Sequence, residues 1–120
     1  MIRALRSFFA GMRAARRLGR AFRLRERGEK AQAIVVAREA LSLLSAPYVY
    51  RDNSPEGSAL VGATVLVEEL ASELKVPGAS SSDIADTLTF LKRVGGSGTE
   101  YERWIPFLEQ RQAQGASGAV

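Results

Sequence analysis

Apolar side chains recur at helical spacing over most of this chain, and where Val61, Thr64, Val65 and Val67 would suit a strand, the helical spacing of Leu66, Leu70 and Leu74 favours a helix. In the first such stretch Leu5, Phe8, Met12, Ala15, Leu18 and Phe22 share one face of a helical wheel, with Phe9 near its boundary. Arg6, Arg13, Arg16, Arg17, Arg20 and Arg23 cluster on the other face. The pattern predicts a helix over residues 2–26, closed by a turn in which Gly28 serves as the C-cap. A second helix is expected over 30–45. Ala33, Ile34, Ala37, Leu41 and Leu44 form its stripe, and Ala33, Ala37 and Ala40 allow close approach by a neighbour.

Pro47 and the aromatic Tyr48-Val49-Tyr50 interrupt the pattern. A third helix then announces itself. Ser54 suits the N-cap, Pro55 the first helical position, and Glu56 the positive end of the helix dipole. It runs to about Lys75. Ala59–Val67 is apolar all round, which marks this helix as central and Leu66 as a core position. Val76-Pro77-Gly78 ends it.

Ser80, Ser81 and Ser82 offer caps for a fourth helix over 82–94, striped by Ile84, Leu88, Leu91 and Val94. Gly95–Gly98 reads as a linker. Thr99 with Glu102 looks like a capping box opening a fifth helix. Tyr101, Trp104, Ile105 and Leu108 form its stripe, with Trp104 and Tyr101 as its core anchors. Pro106 is tolerable there only in the first turns. Residues 111–120 read as a flexible tail. The expected fold is therefore all-α: about five helices in one domain over 1–110, arranged as tetratricopeptide-like hairpins or a small bundle.

The family resemblance rests on residues 14–47. Gly28 falls in the turn. Gly28-Glu29-Lys30-Ala31-Gln32-Ala33-Ile34, followed by Ala37, Ala40 and Leu41, resembles the second helix of a tetratricopeptide repeat. Ala21 stands where that family has a small residue and Leu24 where it has a large one. Arg17 and Arg20 depart from the pattern, and no second copy follows about 34 residues on. The resemblance implies α–α hairpin packing and, by analogy, a protein-binding role.

Composition narrows the chemistry. The 120 residues contain no cysteine and no histidine. Disulfides, thiolate nucleophiles, the usual zinc ligands and the usual neutral-pH base are all missing. No motif calls for a cofactor, a metal or a catalytic role. Glu68, Glu69 and Glu73 read as a solvated acidic face, and Asp83 and Asp86 as dipole partners at a helix start.

Charge is unevenly spread. Residues 1–30 hold ten basic side chains against two acids, whereas 31–120 hold seven against eleven. This basic face and the loop aromatics beside Arg51 are the candidate binding surfaces. Arg13, Arg16, Arg17, Arg20, Tyr48, Tyr50 and Arg51 are the residues expected to contact a partner. The reading is a non-catalytic protein–protein interaction module, a small adaptor or inhibitor-type binder, whose partner is another protein, with an acidic one among the options. The alternative is a membrane-surface or nucleic-acid-associated protein anchored by residues 2–26. The absence of cysteine suits a cytoplasmic setting, with peripheral membrane attachment or organelle targeting as the rival locations. Ala/Gly/Arg-heavy usage equally fits a GC-rich bacterial genome.

Overall fold

In the computed structural model, helices form where the local signals place them. The structure describes the backbone of residues 2–44, 55–94 and 102–118. Among these residues are five α-helices and no strand: α1 (Ile2–Glu26), α2 (Lys30–Ser42), α3 (Pro55–Leu74), α4 (Ser81–Val94) and α5 (Trp104–Gly118). The all-α expectation holds.

The helix ends follow from local hydrogen bonding. Gly28 adopts φ 82°, the left-handed conformation that glycine enters without steric cost. The Glu29 N–H then reaches the Leu24 carbonyl and the Gly28 N–H reaches Arg25, closing α1 and turning the chain into α2. At the end of α3 the same left-handed turn is made by Lys75, φ 57°, with Val76 N–H bonded to the Ala71 carbonyl. Ser80 caps α4 by accepting the Asp83 N–H at 3.0 Å. Pro55 occupies the first position of α3, and Pro106 lies in the first turn of α5.

Helices α1, α2 and α3 pack against one another, while α4 packs on both α3 and α5. As expected, α3 is central. Leu60, Leu66, Val67 and Leu70 are all buried, Leu66 at 1% exposure. Thr64 and Thr87, both fully buried, join α3 to α4 through a 2.9 Å hydroxyl–hydroxyl bond. Phe90 and Leu91 close the core from α4, and Leu108 from α5. Surface ion pairs link neighbours: Arg17–Glu39 across α1 and α2 (2.6 Å), Lys30–Glu73 across α2 and α3 (3.0 Å), and Lys92–Glu109 across α4 and α5 (3.4 Å).

Several expectations need correction. The buried face of α1 is Gly11, Ala14, Leu18, Ala21 and Leu24. At 100° per residue this lies roughly a third of a turn from the expected face. Among the side chains described, only Leu18 is common to both. The reason is steric. The alanines of α2 (Ala33, Ala37, Ala40) are fully buried, and small side chains on α1 let the two backbones close together. A Cβ on Gly11 would stand 2.7 Å from the Glu56 backbone nitrogen, so α1 also crosses α3 too closely for any side chain there.

At the other end, α5 begins at Trp104 and continues through Gly118, where the sequence suggested a start near Thr99 and a tail from 111. Gln, Arg and Ala are good helix formers, and they extend a helix without supplying an apolar stripe. Trp104 is only half-buried, and Leu108 is the anchor of α5. Ser54, Gly95–Gly98, Thr99 and Tyr101 lie outside the described residues.

Candidate binding surface on α1

With Gly11, Ala14, Ala21 and two leucines turned inward, α1 presents Phe8, Phe9, Met12 and Phe22 to solvent. Phe8 is 44% exposed, Phe9 56%, Met12 40% and Phe22 38%. Phe8, Met12, Ala15, Gly19 and Phe22 are spaced three or four residues apart, so they form one continuous stripe. Phe8 and Phe9 meet edge to face at 5.9 Å. Isolated exposed hydrophobics are ordinary on a protein surface; here the aromatic and methionine side chains are aligned in one row.

The Ala15–Phe22 part of the stripe forms one wall of a groove, with α3 as the other. Ala15, Leu18, Gly19 and Phe22 face Ser58 and Ala59 across a shallow space of about 310 Å³. Beyond Phe22 the groove opens into a cleft of about 350 Å³ whose floor is Gly62, Val65 and Leu66. Trp104 and Arg103 bound that cleft from the α5 side. Two guanidinium groups stack at its rim, Arg25 5.6 Å from the Phe22 ring centre and Arg103 4.6 Å from that of Trp104. Glu69 supplies the one carboxylate in the cleft lining and stands 3.8 Å from Arg25.

Arg13, Arg16 and Arg20 all lie exposed on α1, as the sequence suggested. With Arg23 they run along the edge of the stripe away from α3, and none of the four is ion-paired among the described residues. Arg17 is different. Its guanidinium is committed to Glu39 of α2, which turns it away from the apolar stripe. Tyr48, Tyr50 and Arg51 lie outside the described residues. The sequence reading missed the outward face of Phe8, Met12 and Phe22. The signal for it was the second row of Gly11, Ala14 and Ala21, small residues at helical spacing about Leu18 and matched to the alanine row of α2.

The acidic residues of α3 also sort differently from expectation. Glu69 and Glu73 are partly exposed, paired with Arg25 and Lys30. Glu68 is not on a solvated face. It is buried, and its Oε1 accepts the Ala79 backbone N–H at 2.9 Å. The carboxylate holds the loop between α3 and α4 against the body, helped by Arg38, whose guanidinium donates to the Pro77 carbonyl. A cleft of about 330 Å³ lies beside this latch, bounded by Arg38, Ser42, Ser80 and Asp83. Its Arg38 and Ser80 are already engaged in the latch and the α4 cap, so it reads as a product of that local structure.

Among the described residues no group of three or more acidic side chains gathers to hold a metal ion, and no helix is long and apolar enough to cross a membrane. Comparison with protein-family models, curated proteins and solved structures finds no match to this chain.

Proposed function

We propose that this chain is a non-catalytic protein-interaction module, a small adaptor or inhibitor-type binder, and that it docks its partner on the outer face of α1. The observation that carries this reading is the inversion of α1. Its core side is built from Gly11, Ala14, Leu18 and Ala21, while Phe8, Met12 and Phe22 face solvent. Leaving aromatic and methionine side chains outside costs the fold part of its most effective core material. Aromatics, Met and Arg are also the side chains enriched where proteins bind one another. The tetratricopeptide-like hairpin over 14–47 belongs to the same proposal, with Arg17 and Arg20 as its departures.

The test is a pull-down from native lysate with tagged full-length protein and with the triple variant Phe8→Ala, Met12→Ala, Phe22→Ala. The expected result is a protein retained through a high-salt wash by the parent and lost from the variant, whose circular-dichroism melt is unchanged. Retention of the same protein by both would move the docking face elsewhere. Capture of only nucleic acid or lipid, released by salt, would replace this reading with electrostatic anchoring.

A further inference from the structure

The apolar stripe on α1 has a length and a charged edge. From Phe8 to Phe22 is fourteen residues of helix, or about 21 Å, four turns, and its Ala15–Phe22 part lines the groove against α3. One edge of the stripe carries Arg16, Arg20 and Arg23, all exposed and free of ion pairs among the described residues. The opposite side is α3, which carries Glu56 beside Gly11, then Ser58, Ala59 and Gly62 along the groove, and Glu69 at the cleft. At the far end, Arg25 and Arg103 face that single carboxylate, so the cleft beside Trp104 keeps a net positive charge.

From this we infer that the occupant is an amphipathic helix of another protein, about four turns long, acidic along one edge only. Its apolar face lies over Phe8, Met12 and Phe22, its acidic edge faces Arg16, Arg20 and Arg23, and one large side chain enters the cleft at Trp104. Helix-in-groove recognition has this form: anchors at i, i+4 and i+7 supply the buried area, and flanking charge sets orientation. A bilayer surface fits less well. Here α3 stands beside the Ala15–Phe22 part of the stripe as a second wall, which a helix can contact and a flat lipid surface cannot. A second copy packed antiparallel on the stripe brings the same arginines to the same edge and meets like charge.

The inference rests on the interaction-module reading and goes further by naming the partner's chemistry. It is tested by selecting a displayed library of helical peptides, about twenty residues long and varied in charge and apolar pattern, on the full-length protein. Enriched sequences are expected to carry large apolar residues at i, i+4 and i+7 with Asp or Glu along one edge. Their affinity should fall at least tenfold in Arg16→Glu/Arg20→Glu and in Phe22→Ala, and remain unchanged in Val35→Ala, which alters an exposed position on α2. Enrichment of neutral or basic peptides, or binding that survives the first two changes, overturns it. So does equal binding of vesicles of mixed phosphatidylglycerol and phosphatidylcholine. If the lysate partner depends on the α1 stripe yet no acidic helix is enriched, the module reading stands and this inference alone fails.

Discussion

Glu68 of α3 accepts the backbone N–H of Ala79 at 2.9 Å from a position only 6% exposed. The bond ties the end of the loop between α3 and α4 to the middle of the central helix. A Cβ on Gly78 would stand 2.6 Å from the Glu68 Oε1, so a side chain there must push the carboxylate off this bond. Replacing Glu68 by Ala leaves the Ala79 N–H without its partner, at a cost of about 1–3 kcal/mol. Urea unfolding should record that loss, and hydrogen exchange at residues 76–80 should accelerate beyond the global change. Gly78→Ala is expected to destabilise for the opposite reason, by crowding the same carboxylate. If Glu68→Ala unfolds like the parent, the latch contributes nothing to the fold.

The buried threonine pair makes a prediction about non-additivity. Thr87 Oγ1 donates to the Asp83 carbonyl at 2.8 Å, so its proton is committed and Thr64 is the donor in the bond between the two hydroxyls. Thr87→Val strands the Thr64 hydroxyl in the core and should cost about 1–3 kcal/mol. Removing both hydroxyls in Thr64→Val/Thr87→Val should cost less than the sum of the two single changes, since neither group is then orphaned. Chemical denaturation of the four proteins completes the cycle. Strict additivity would mean that the hydroxyls do not depend on each other.

These features differ in how far they could be read from the chain alone. The ends of α1 and α3 were legible because Gly28 and Pro55 act on backbone groups within a few residues. Glu68 was not, because its partner N–H lies eleven residues away in a loop. The rotation of α1 was hidden for another reason. Both faces of that helix are apolar, one large and one small, and a pattern weighted by hydrophobicity favours the large one. What decides is the size match with Ala33, Ala37 and Ala40, a property of two helices together. The arginine edge was legible, since exposure is the default for Arg. That Arg17 leaves it for Glu39 depends on where α2 lies.

The same rotation predicts which side chains the fold can spare. Phe8→Ala and Met12→Ala remove groups already in contact with water, and each should change stability by no more than about 0.5 kcal/mol. Leu18→Ala removes a buried group at the centre of the α1 seam and should cost about 2–5 kcal/mol. Thermal melts of the three variants check the order. A large loss from Phe8→Ala or Met12→Ala would place the large stripe in the core and remove the basis for a docking face.

The two glycines within α1 are predicted to respond to alanine in opposite directions. Either replacement removes backbone freedom from the unfolded chain and favours helix by about 0.5–1 kcal/mol. At Gly19 nothing opposes this. The nearest atom to a new Cβ is the end of the Arg23 side chain at 3.5 Å, ordinary contact distance. Gly19→Ala should therefore raise the urea midpoint. At Gly11 the new Cβ would meet the Glu56 backbone nitrogen at 2.7 Å and its Cα at 2.8 Å. Backbone cannot swing aside as a side-chain tip can, so α1 and α3 must separate. Overpacking of this kind costs about 1–3 kcal/mol, more than the helix gains. Gly11→Ala should lower the midpoint, and a Gly11→Ala protein more stable than the parent would show that α1 does not cross α3 at this point.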